Sequence, residues 1–156
     1  MSQRADDRIG AFAVTRGRTT PPAGWRASDG PRRRVLVVAP EPFYDDRGTP
    51  IAVLNVLRAL RQLDYRVDVV TYPLGRPIKL PGVKIIRSAN PFGIRHVPIG
   101  FSFRKLALDA TLVPAIWRRL RRRRYDCIHA VEEAAFPAVL LGHLYGVPVI
   151  YDMQSS

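Results

Sequence analysis

Five short apolar runs alternate with amphipathic stretches along this chain, and proline, glycine or polar turns separate them. The first run, Val35-Leu36-Val37-Val38-Ala39, is uninterrupted and rich in β-branched residues. That is the pattern of a strand buried on both faces, as in a parallel sheet. Pro40 ends it, and the segment Glu41–Gly48 reads as a loop. Thr49-Pro50 is a helix start, with threonine as cap and proline in the first turn. Val53, Val56, Leu57 and Leu60 then recur at helical spacing and predict one apolar face. Further strands are predicted at Val67–Tyr72, Val83–Arg87, Asp126–Val131 and Pro148–Asp152. Residues 88–100 contain Asn90-Pro91, Phe92-Gly93 and Val97-Pro98 and read as a long loop. A helix is predicted over 102–124, with Leu106, Ala110, Val113, Trp117 and Leu120 on its apolar side and Pro114 kinking or dividing it. A shorter helix spans Ala134 to Tyr145, ended by Gly146.

Strand–helix alternation requires crossover connections. It therefore predicts an α/β fold, a Rossmann-like parallel sheet with helices on both faces, over residues 34–156. Ligands of such sheets bind outside the carboxyl ends of the strands. Three segments emerge there: the loop 41–49, Val131-Glu132-Glu133, and Met153-Gln154-Ser155-Ser156.

Composition narrows this picture. The chain has 156 residues, which suits one domain with a real core. No apolar run is long enough for a membrane span, and the N-terminus lacks the apolar stretch of a signal peptide. Cys127 is the only cysteine, so no internal disulfide forms, which fits a cytoplasmic setting. No metal-ligand spacing is present, and no cofactor is expected.

The net charge of +12 is concentrated in two places, +5 in residues 1–34 and +7 in residues 104–124. Residues 1–33 mix arginine with glycine, proline, serine and threonine, and read as a disordered basic leader. The second cluster, Arg118, Arg119, Arg121, Arg122, Arg123 and Arg124, crowds the end of a predicted helix near Phe101, Phe103 and Trp117. It serves either as a charged end matched to the helix dipole or as a basic patch for anionic membrane. No element suited to reading nucleic acid accompanies it, so nucleic acid is not an expected partner.

The loop after the first strand lacks the GxGxxG of a dinucleotide site, which disfavours a simple NAD enzyme. Its single glycine, Gly48, serves either the turn into the helix or the approach of a ligand to a helix N-terminus. Other candidates are equally open at this level. His129 is a half-buried strand residue or a site residue. Glu132-Glu133 is a solvated helix start, or Glu132 is a site residue. Asp152 is a strand-end cap or a ligand contact.

Taken in order, Arg34-Val-Leu-Val-Val-Ala-Pro, Arg47-Gly-Thr-Pro, Leu63-Asp-Tyr-Arg-Val-Asp-Val, Asp126-Cys-Ile-His-Ala-Val and Tyr151-Asp-Met-Gln-Ser-Ser resemble the N-terminal domain of subfamily 4 glycosyltransferases. The resemblance covers roughly residues 34–156. It implies one half of a two-domain GT-B fold. It also implies transfer of a sugar, with retention and without a metal, from a nucleotide-diphosphate sugar as co-substrate to a glycan- or lipid-linked acceptor. Gly48 and Thr49 match the loop that nears the donor phosphate, although Arg47 stands where many members have a first glycine. His129 and Glu132 match the motif after the fourth strand, with Val131 where a second histidine is common. Gln154 stands where many members place a histidine that touches the reacting sugar. The expected set is therefore His129, Glu132 and Gln154 at the reaction centre, Gly48 and Thr49 on the donor, and Asp152 and Ser155 on substrate. Nothing in the chain matches the donor-gripping second half, so this chain is expected to be inactive by itself. The alternative is a non-catalytic domain that docks on membrane or on a partner. Cytoplasmic location, with peripheral association to the inner face of the membrane, is the corresponding expectation.

Overall fold

The structure is a computed structural model and describes residues 33–43, 48–91, 93–96 and 103–154. Five strands form one sheet: β1 (Arg34–Ala39), β2 (Arg66–Thr71), β3 (Val83–Arg87), β4 (Cys127–Val131) and β5 (Val149–Asp152). Their order is β3-β2-β1-β4-β5 and every pairing is parallel. β1 is central, and its residues from Val35 to Ala39 are all buried. Its side chains alternate between two cores. Leu36 and Val38 face one, with Val70, Leu112, Ile116 and Ile128. Val35, Val37 and Ala39 face the other, with Val53, Leu57 and Val69. The uninterrupted apolar run is thus explained by burial on both sides.

Helix α1 (Gly48–Gln62) covers the second core, and α2 (Phe103–Arg122) and α3 (Ala135–Tyr145) lie side by side over the first. A short 3-10 turn, Glu132–Ala134, joins β4 to α3. α3 ends at Gly146, whose φ of 64° is the left-handed cap geometry glycine adopts without strain. The leader over residues 1–32 lies outside the described residues.

Local differences from the expected elements have physical reasons. α1 begins at Gly48, so Thr49 is inside the helix and is not its cap. α2 runs unbroken through Pro114, which is exposed, so the carbonyl it deprives of a partner can bond water. α2 also presents a different face to the sheet. Leu108, Leu112, Ala115, Ile116 and Leu120 are buried, whereas Leu106, Val113 and Trp117 are 53%, 39% and 38% exposed. The helix is apolar on two sides, and only one of them packs inward.

At the amino edge of the sheet, Asp68 gathers a buried network. The guanidinium of Arg119 pairs with Asp68 Oδ2, the Tyr125 hydroxyl donates to the same oxygen at 2.5 Å, and Arg34 Nη1 lies 3.6 Å away. Burial opposes ionisation of Asp68, but these hydrogen bonds and charges outweigh it and hold the carboxyl below its usual range. Arg119 is therefore structural: its side chain is 12% exposed, and the expectation that it joins the surface cluster is corrected.

Candidate functional site

The strand order reverses between β1 and β4, because β1 continues outward to β2 and β4 to β5. The crevice outside the carboxyl ends at such a reversal is where open parallel sheets bind ligands. Glu41 follows β1 on one side of it and Glu132 follows β4 on the other.

A row of side chains connects β4, the turn after it and the end of β5. His129 Nε2 lies 2.9 Å from Asp152 Oδ2. Gln154 Nε2 donates to that same oxygen at 2.8 Å, and the backbone N–H of Gln154 donates to Glu132 Oε1 at 2.9 Å. Parallel pairing of β4 with β5 sets this up, since it matches Val131 with Asp152 and His129 with Ile150. His129 shares a sheet face with Cys127 and Val131 and so lies on the side covered by α1. Burial raises the proton affinity of Asp152, yet hydrogen bonds from Gln154 and His129 overcome it and keep the carboxylate ionised. Glu132 is held with φ at 49°, a left-handed conformation uncommon for a non-glycine residue, and its carboxylate meets the Gln154 backbone from there.

Glu41 lies in the loop the sequence places at this edge, but nothing in the sequence singles it out, because a carboxylate just past a strand reads as an ordinary loop residue. Its carbonyl is fixed by the Thr71 hydroxyl at 2.6 Å and by the Tyr72 N–H at 3.3 Å. Its side-chain Oε1 is buried without a hydrogen-bond partner, as is Oε1 of Gln154. Burial, with the charge of Glu132 added, pushes the Glu41 carboxyl up to about 8. At neutral pH Glu41 thus holds a proton and can donate a hydrogen bond.

The same edge carries a second group of carboxyls. Lys105 Nζ lies 2.5 Å from Glu133 Oε1, and the Tyr72 hydroxyl donates to Asp109. Burial raises the Asp109 carboxyl above its usual range against the pull of Tyr72. Among the described residues no group of acidic, histidine or cysteine side chains is arranged to hold a metal ion.

Gly48 is the first residue of α1 and is exposed. Its φ is not among the positive values, and a Cβ there would have no atom within 4 Å. The fold as described therefore does not require glycine at this position. Thr49 is half-buried beside it. Val131 is fully buried and offers no polar group to the crevice. Arg47 and Ser155 lie outside the described residues.

Of the arginine cluster, Arg118, Arg121, Arg122, Arg123 and Arg124 are exposed. Arg121 stacks over Trp117, 4.7 Å from the ring centre. Arg121 to Arg124, Tyr125 and Tyr145 to Val147 line an open cleft of about 610 Å³. Tyr125 precedes β4 and Val147 precedes β5, so this cleft is at the amino edge, away from Glu41 and Glu132.

Solved structures share this architecture. Sucrose-phosphate synthase from Thermosynechococcus elongatus superposes with a TM-score of 0.64 at 20% identity, covering 80% of this chain and 33% of that one. MurG from Acinetobacter baumannii gives 0.52 at 20% identity over 80% of this chain and 35% of that one. The glycotransferase of kitacinnamycin gives 0.50 at 16% identity over 80% and 31%. The chain thus spans about a third of the length of these proteins, and the likeness establishes the fold. No curated protein sequence matches it. A family model described as a glycosyl transferase 4-like domain matches residues 47–156, which take in α1, every strand after β1 and the whole His129–Glu132–Asp152–Gln154 row. The parallel sheet in the order 3-2-1-4-5 and this match over most of its length agree, and the chain belongs to the glycosyl transferase 4-like domain family.

Proposed function

We propose that this domain forms the acceptor-side wall of a retaining glycosyltransferase, in which a sugar passes from a nucleotide diphosphate to a glycan- or lipid-linked acceptor. The observation that carries this reading is the row His129, Asp152, Gln154 and Glu132 at the carboxyl edge, within a chain of this family. Cleaving a glycosyl–phosphate bond leaves positive charge on the sugar ring, and catalysis rests on polar groups already in place where that charge develops. Asp152, kept ionised by two hydrogen bonds, supplies fixed negative charge. Glu132 holds the Gln154 backbone, and both residues offer polar atoms to sugar hydroxyls. Glu132 and Asp152 bring carboxylate oxygens to this edge beside His129 and Gln154. Such a group suits sugar hydroxyls and a developing cation better than a diphosphate. The diphosphate falls instead to the α1 N-terminus at Gly48 and Thr49 and to the facing wall of the cleft.

In this reading the protein works in the cytoplasm, associates peripherally with the inner face of the membrane, and uses no cofactor besides the nucleotide sugar. The chain of 156 residues does not turn over alone, because the cleft needs two walls. A second reading, a docking domain without activity, is favoured by one observation: the position of Val131 carries a fully buried apolar side chain. Calorimetry and a transfer assay of the purified chain with UDP- and GDP-sugars test the first reading. Binding no tighter than millimolar, about −4 kcal/mol, and no turnover are expected. Micromolar binding or turnover contradicts the single-wall account, and no binding at any attainable concentration favours the second reading.

A further inference from the structure

α2 has two apolar faces, and the sheet uses one. At 3.6 residues per turn, Leu106, Val113 and Trp117 lie about 120° round the helix from the buried Leu108, Leu112 and Ile116. Phe103, 85% exposed, and Ala110 continue the outer stripe, which runs from Phe103 to Trp117, about 21 Å along the helix. No described element covers it, and a long exposed apolar stripe on a folded domain marks a contact surface.

The charges beside the stripe select its partner. Arg104, Arg118, Arg121 and Arg122 of α2, with Arg123 and Arg124 just beyond it, are exposed. The sole acidic residue of α2, Asp109, is turned inward to Tyr72. Trp117, with Arg121 stacked on it, pairs an amphipathic ring with a cation, the combination favoured at a membrane–water interface. No helix of the described residues is long and apolar enough to cross a membrane, so the helix would lie in the interface plane.

We propose that the outer face of α2 lies flat on an anionic lipid surface, with Phe103, Leu106, Val113 and Trp117 in the headgroup boundary and the arginines on lipid phosphates. This deepens the peripheral-membrane part of the proposed function and does not depend on sugar transfer. It also sets the orientation of the site. The first turns of α2 touch the carboxyl edge through Lys105–Glu133 and Asp109–Tyr72, so a bilayer along α2 passes that edge at one end of the helix and the arginine cleft at the other. Arg119 takes no part, being held by Asp68.

The test is co-sedimentation of the full chain with phosphatidylcholine vesicles and with phosphatidylcholine–phosphatidylglycerol vesicles, alongside ultracentrifugation without lipid. Binding is expected to the anionic vesicles only and to fade with salt, as the Debye length falls to about 3 Å at 1 M. Leu106→Ser with Val113→Ser, and separately Arg121→Ser with Arg122→Ser, are each expected to weaken it about tenfold or more. All four side chains are exposed, so circular dichroism should show both variants folded. Unchanged binding in both folded variants would assign the attraction to residues 1–33 and overturn the proposal. Equal binding to neutral vesicles would overturn it too, as would a lipid-free dimer that the Leu106–Val113 variant abolishes, which would assign the stripe to a second copy. Loss of lipid binding with sugar binding retained would separate this surface from the site.

Discussion

Glu41 follows β1 and Glu132 follows β4, on the two sides of the reversal of strand order, and the Glu132 charge adds to burial in raising the proton affinity of Glu41. Burial together with the Glu132 charge pushes the Glu41 carboxyl up to about 8. Glu132 meanwhile keeps its own oxygen on the Gln154 N–H at 2.9 Å. One member of the pair holds a proton at neutral pH and the other accepts a hydrogen bond from the backbone.

Burial of the Glu41 carboxyl, with the Glu132 charge added, makes stability pH-dependent. Glu41 holds its proton in the folded chain up to about 8 and releases it near 4.5 when unfolded. Its contribution is therefore complete below 4.5 and is lost as pH rises through 8. The loss approaches about 1.4 kcal/mol per pH unit at its steepest. In denaturant titrations from pH 5 to 9, Glu41→Gln should remove this decline and be the more stable protein at the alkaline end. Parallel curves for the two proteins would show that Glu41 titrates normally.

Asp68 has the opposite sign. Its folded value is depressed, so its contribution is present above the unfolded value and is lost as pH falls through the folded one. Asp68→Asn leaves the Arg119 guanidinium buried without its counter-charge and should cost about 3–5 kcal/mol at neutral pH. Urea unfolding measures this directly. A loss below about 1 kcal/mol would mean that Arg119 finds water as readily as Asp68.

Gly48 separates packing from ligand contact. Because a Cβ there meets open space, Gly48→Val should unfold within about 1 kcal/mol of the parent. In an active protein containing this domain, the same change should lower turnover about tenfold or more, equivalent to about 1.4 kcal/mol. Unaltered kinetics would leave the glycine with no role at the donor.

The periodicity of this chain is sufficient to place every strand and helix within a few residues, because each strand of the sheet's centre is buried on both sides and each helix on one. It does not choose between the two faces of α2. Leu106, Val113 and Trp117 repeat as regularly as Leu108, Leu112 and Ile116, and spacing is blind to which stripe meets the sheet. Arg119 carries a signal in principle: it follows Leu112 by seven residues on the inward side, and Asp68 is the lone acidic residue of β2, set between valines. Glu41 carries none, since its meaning depends on β1 and β4 being neighbours, a fact of the fold that the linear order conceals. His129, Glu132, Asp152 and Gln154 are brought together as a group because each lies at or just past a strand's carboxyl end.

The central claim is that sugar is recognised at the carboxyl edge between β1, β4 and β5. Amide chemical-shift mapping of the labelled chain, titrated with a nucleotide sugar and separately with a simple glycoside to millimolar concentration, tests it most directly. The account predicts shifts at Gly48, His129, Glu132 and Gln154, with the amino-edge cleft of Arg121 to Arg124 silent toward the uncharged glycoside. Shifts confined to that cleft, or a silent carboxyl edge with both ligands, would contradict it.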